Sequence, residues 1–121
     1  MYDKISEWLD TVLENEFPDE VIAVAFNLYE DGDNSWSMEV VGTSSFDEDD
    51  PDWACDEVTD LGTREEPFAW EEESSWEEVQ SEMSHILVKY LEEGKFADKL
   101  LGFKGLGVGF VDGDLVIIHS K

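Results

Sequence analysis

Basic residues are scarce in this 121-residue chain, where seven Lys and Arg stand against 32 Asp and Glu for a formal charge of −25. Phosphates need a cationic footprint, so this deficit argues against binding to nucleic acid or to an anionic membrane. Cysteine is nearly absent, and the single Cys55 forms no internal disulfide framework and fits a reducing cytosol. No apolar run exceeds Val21–Phe26, far short of the ~20 residues of a membrane-spanning helix. The start, Met1-Tyr-Asp-Lys, lacks the basic and apolar regions of a secretory signal. Neither a linker nor an internal repeat divides the chain. The expectation is one cytoplasmic domain, residues 1–121. With 41% hydrophobic residues and five Trp, it has enough apolar material for a packed core.

The charge is unevenly placed. Residues 1–29 carry seven acids and one base, residues 30–82 carry 20 acids and one base (Arg64), and residues 83–121 carry five of each. The densest stretch is Asp47-Glu48-Asp49-Asp50-Pro51-Asp52-Trp53-Ala54-Cys55-Asp56-Glu57, and a second follows at Trp70-Glu71-Glu72-Glu73. Like charges packed this closely oppose folding by self-repulsion, so a cationic partner is the simplest reason for them.

Hydrophobic periodicity supplies the elements. Ile5, Trp8, Leu9, Val12 and Leu13 share one face of a helix over 3–16, capped by Asp3 and stopped at Phe17-Pro18. Strict alternation predicts a strand over 21–29, a turn at Asp31–Asn34 and a second strand from about Trp36 to Phe46. From about 45 to 74 the periodicity fades, with residues 53–58 read as either a short third strand or loop. Ser75 with Glu78, or Ser74 with Glu77, opens a helix over 75–93, whose apolar face runs through Trp76, Val79, Met83, Ile86, Leu87 and Tyr90 and which stops at Gly94. A short further helix falls within Phe96–Phe103. The tail forms a hairpin around Asp112-Gly113, pairing Phe110 with Leu115, Val108 with Ile117 and Leu106 with His119. Gly107 and Gly109 then leave holes suited to a bulky ring or a close backbone. The predicted fold is α+β, an antiparallel sheet of about four to five strands in two hairpins with two to three helices on one face.

Catalytic and metal motifs are weak. Asp31-Gly-Asp33-Asn-Ser35 has Gly42 where an EF-hand places its bidentate Glu, so it reads as a hairpin turn. Cys55 lies among acids that raise a thiol pKa and is expected to be a small buried hydrophobe. His85 is placed on the solvent side of its helix and His119 on the core side of the last strand, neither with a partner at telling spacing. Thirty-two acids always supply carboxylate pairs, so pairs alone do not indicate a hydrolase. No catalytic residue, cofactor or metal is expected.

Aromatic residues embedded in acid stand above this background. Trp76 and much of Trp36 fit a core, whereas Trp53 and Trp70 lie in the least periodic stretch. They are read in two ways, as anchors of a partner or as pins that hold a long loop to the body. In the first reading Asp47, Glu48, Asp49, Asp50, Asp52, Trp53, Asp56, Glu57, Trp70, Glu71, Glu72 and Glu73 form a partner-binding surface. Carboxylates around rigid aromatics steer a cationic protein at up to ~10⁹ M⁻¹s⁻¹.

In size, acidity and layout, with Asp47–Glu57 and Trp70–Glu73 as its carriers, the chain resembles the immunity proteins of bacterial polymorphic and contact-dependent growth-inhibition toxin systems. Its Val108–Ile117 hairpin also resembles uncharacterised small bacterial proteins. The resemblance implies a non-enzymatic module that covers the active site of a basic toxin. Competing readings are another cationic partner, a nucleic-acid mimic, adaptation to high salt, and a divalent-metal enzyme. A monomer is expected, or a weak homodimer through the hairpin edge.

Overall fold

In the computed structural model, which describes residues 1–111 and 113–121, the alternating segment becomes β1 (Ala23–Gly32), hairpin-paired with β2 (Ser35–Thr43). Asn34 takes the left-handed turn conformation (φ 62°) that short polar side chains tolerate. The outer edge of β2 is shared by two short strands. β3 (Glu57–Thr59) pairs at Gly42–Thr43, and β4 (Phe68–Glu71) pairs at Ser35–Met38. Between them the Thr63 hydroxyl accepts the Val40 N–H at 2.9 Å, so a side chain serves the stretch of edge that no strand covers.

The other neighbour of β1 is β5 (Gly105–Phe110), and this pair is parallel. β6 (Val116–Ser120) closes the sheet antiparallel to β5 with its outer edge open. The fold is α+β as expected, but the sheet is mixed and six-stranded. Hairpins join sequence neighbours, whereas a parallel pair needs a long crossover. Here that crossover contains β3, β4 and two helices, and no local pattern announces it.

All three helices pack on one sheet face. α1 (Tyr2–Val12) contributes Ile5, Leu9 and Val12, α2 (Trp76–Glu93) contributes Val79, Met83, Leu87 and Tyr90, and α3 (Ala97–Leu101) contributes Leu100. They cover Val24, Phe26 and Leu28 of β1, Trp36, Met38 and Val40 of β2, and Leu106, Val108 and Phe110 of β5. α1 is capped at Met1 rather than Asp3 and ends before Phe17-Pro18, at Leu13. α2 follows the sequence closely, since Ser75 Oγ accepts the Glu78 N–H at 3.2 Å and Gly94 ends the helix. Trp76 is a correction: it lies 51% exposed at the start of α2 instead of in the core, against Phe110 at the very end of β5.

The opposite face is a trough of small residues, filled from above. A Cβ at Gly105 would lie 2.0 Å from the Phe46 ring, and one at Gly107 would meet Leu115 at 2.9 Å and Trp53 at 3.2 Å. The sequence-based expectation of a ring and a backbone over these glycines holds, since at Gly109 the intruder is the Asp114 carbonyl at 2.6 Å. The tail register is corrected. Leu106 opposes His119, but a bulge puts Val116, not Ile117, against Val108. Leu115 and Ile117 therefore pack with Trp53 on the trough side. The strands end at Phe110 and resume at Val116, so the connection is longer than a two-residue turn; Asp112, half of that expected turn, lies outside the described residues.

Candidate functional site

The structure separates the two acidic stretches. Glu57 pairs near Thr43 at one end of β2, and Glu71 pairs with Ser35 at the other. At about 3.4 Å per residue that is roughly 27 Å along the strand. Residues 30–82 thus present two acidic regions rather than one patch.

The first region is largely occupied with its own folding. Pro51–Cys55 forms a 3-10 turn in which Trp53 is 3% exposed, packed on Ala23, Ala25 and the Phe46 ring (5.1 Å between centroids). Among the described residues Trp53 Nε1 has no hydrogen-bond partner, so packing holds the ring. Trp53 is a loop pin, and its ring is not available to a partner. Asp47 accepts the Asp49 N–H at 2.9 Å, Asp50 accepts the Asp52 N–H at 3.0 Å, and Asp56 takes a hydrogen bond from the Ser45 hydroxyl. Carboxylates at these positions stabilise turns by accepting from the backbone two residues on. Every acid of Asp47–Glu57 nevertheless remains exposed, and so does Cys55, which corrects its expected burial.

Glu57 belongs to a third cluster that sequence inspection missed. Glu39 points onto the trough face and is buried, yet Arg64 Nε lies 3.1 Å from it, the Tyr29 hydroxyl 2.6 Å and Asn27 Nδ2 3.2 Å. Burial pushes its pKa up, but the donors from Arg64, Tyr29 and Asn27 outweigh burial and hold the carboxyl below its usual range. Arg64 also grips Glu57 at 2.6 Å, and its guanidinium is raised by Glu57 first and Glu39 second. Burial and Glu39 push the Tyr29 phenol up to about 12. With its donors consumed by two carboxylates, Arg64 braces the 57–67 segment to the sheet. The alternation of Glu39 with Met38 and Val40 was the available hint, and the partner 25 residues away was not.

The second acidic region lies at the other end of the sheet, where the β1–β2 turn, the β5–β6 connection and the start of α2 converge. Trp70 and Glu72 are half-buried there. Trp70 Nε1 donates to Glu72 at 3.1 Å, Ser74 Oγ donates to Glu72 at 2.6 Å, and the Trp36 indole donates to the Glu72 carbonyl at 2.9 Å. Burial and then Glu72 push the Glu82 carboxyl up to about 7. Glu72 is pulled below its usual range because Ser74, Glu82 and Trp70 outweigh burial. Of the two, Glu82 is the one that holds its proton more tightly.

Around this buttress lies an exposed apolar surface. Trp76 is 51% exposed, Val111 56% and Val116 41%. Trp76 stands edge-on to Phe110 (6.1 Å, 85°), which in turn packs on buried Trp36 (5.9 Å). A row of rings thus runs from core to surface behind Trp76. Carboxylates gather at this end from three segments: Glu30 and Asp33 at the β1–β2 turn, Glu73, Glu77 and Glu78 before and in α2, and Asp114 in the last connection, whereas Asp31 and Glu71 alternate onto the trough face, where Asp31 lines a groove with Arg64. The bases lie elsewhere. Lys104 and Lys121 flank the far ends of β5 and β6, Lys95 and Lys99 follow α2, Lys89 sits in its last turns, Lys4 is in α1, and Arg64 is braced mid-edge. This end of the molecule is therefore predominantly anionic around the exposed tryptophan, the Met1 amino group being the cation that acts on Glu82.

Among the described residues no three His, Cys, Asp or Glu are placed to hold a metal ion, and no helix is long and apolar enough to cross a membrane. His85 is exposed on α2, and His119 lies 3.2 Å from the Leu101 carbonyl. No protein-family model matches the chain, and comparison with curated proteins and with solved structures gives no match either.

Proposed function

We propose that the protein is a non-enzymatic binding module whose ligand is a basic protein, of the kind exemplified by immunity proteins that cover a cognate toxin. The exposed Trp76, backed by Phe110 and flanked by Glu30, Glu77 and Asp114 with His85 but no Lys or Arg among its described neighbours, carries this reading. Rigid aromatics in a contact surface dominate binding energy, and a field of one sign speeds encounter with the opposite one. In this reading Glu71 and Glu73 contribute charge, Glu72 supports the surface from beneath, and Asp47–Glu57 adds only distant attraction. The total accessible surface of 6537 Å² is close to the ~6,600 Å² of a compact chain of this mass, which disfavours an elongated mimic of nucleic acid.

Affinity capture from the source cells tests it, with the whole chain and its Trp76→Ala variant as baits. A basic protein retained by the first, lost by the second and released by added salt is the expected outcome. Equal retention on both baits contradicts the role of this surface.

A further inference from the structure

The carboxyl ends of the parallel pair β1 and β5 open into a crevice of about 440 Å³ beside the start of α2. Crevices outside the carboxyl ends of adjacent strands are a recurrent place for ligands. Its walls are Leu28, Phe110, Val111 and the indole of Trp76, and Glu30 stands at its mouth. Glu30 follows Val24, Phe26 and Leu28 in the alternation of β1 and pairs with Trp36, which puts it on the helix side of the sheet with the crevice. We propose that this crevice receives one arginine side chain of the partner protein, an assignment that rests on the reading above.

An arginine has the matching chemistry at each point. Its methylene stem lies along the apolar walls. Its flat, weakly hydrated guanidinium stacks on the exposed indole and pairs with a carboxylate. Among the described residues no base lines the crevice, so none of them competes for Glu30. The start of α2 offers a partial positive charge, and Glu77 and Glu78 in its first turn offset it.

The probe is acetyl-Gly-Arg-Gly-amide, titrated at low salt into the whole ¹⁵N-labelled chain and compared with the same peptide carrying citrulline, its neutral isostere. Millimolar binding is expected, with shifts confined to the Trp76 indole N–H and the amides of Leu28, Glu30 and Val111, and none from citrulline. Glu30→Gln is expected to weaken the arginine peptide about five-fold or more, and Trp76→Ala to abolish its binding. Both side chains are exposed, so the variants fold, as the unshifted remainder of each spectrum will show. Equal shifts from citrulline, shifts centred on Asp47–Asp56, or no binding at all overturn the assignment. If the whole chain still captures a basic protein while the crevice ignores arginine, only the assignment fails. If the crevice binds arginine while capture retains nothing, the broader reading fails instead.

Discussion

The two acidic regions differ less in charge than in what lies beneath them. In Asp47–Glu57 the tryptophan is driven into a trough of alanines and glycines, and Asp47, Asp50 and Asp56 hold their own loop. At the opposite end the tryptophan stands outward on a support of Phe110 and Trp36, while the carboxylates come from three segments distant in sequence. The denser run of acid is therefore the more self-contained one. Density along the chain measures how strongly a segment repels itself, whereas a contact surface needs exposed apolar area within a field of one sign.

Substitutions at the two tryptophans separate these roles, and the largest effect falls on the buried one. Trp53→Ala empties the trough over Gly107 and is expected to cost about 4 kcal/mol of stability, lowering Tm by more than ~10 °C with partner affinity unchanged at temperatures where it stays folded. Trp76→Ala is expected to change stability by less than about 1 kcal/mol and to abolish binding. Thermal melts and titration with the captured partner check both, and the reverse assignment of effects would merge the two regions into one account.

Arg64 joins the first region to the sheet and comes next. Arg64→Ala leaves the buried Glu39 carboxylate without its cation and is expected to cost about 3 kcal/mol, seen as a lower denaturant midpoint. A loss below ~0.5 kcal/mol would make the bridge an ordinary surface pair.

A smaller, pH-dependent effect belongs to the second region. The Glu82 carboxyl is raised to about 7, so the folded state favours its protonated form. That contribution is complete below the ordinary glutamate pKa and is lost as pH climbs through about 7. Glu82→Gln is therefore expected to match the wild type near pH 4 and to exceed it at pH 8 by about 1 kcal/mol, after allowance for solvent screening. Melting curves across that range check it. A constant difference at every pH would dissociate Glu82 from the Glu72 buttress.

Much of the architecture is legible in the residues. The β1–β2 hairpin, α2 with its Ser75 cap, and the glycines that admit a ring all follow from spacing and side-chain size. The parallel β1–β5 pair is not legible, because its hydrogen bonds depend on everything folded between the strands. β4 is four residues long, too short for its alternation to stand out. The site is only half visible. Trp70–Glu73 lies beside it, but Trp76 shares the apolar spacing of α2 and reads as core. Its exposure depends on the start of α2 lying beside Phe110, at the end of β5, which the spacing does not reveal. Trp53 shows the converse, since its acidic neighbours suggest exposure while Gly107 in β5, some 50 residues later, makes the space over which it is buried.

Hydrogen exchange of the whole chain, free and bound to the captured basic partner, tests the central claim most directly. Protection is predicted at Glu30–Ser35, at Val111–Val116 and through the first turns of α2, with Asp47–Glu57 unchanged. Protection centred on Asp47–Glu57, with the three converging segments unaffected, would contradict it.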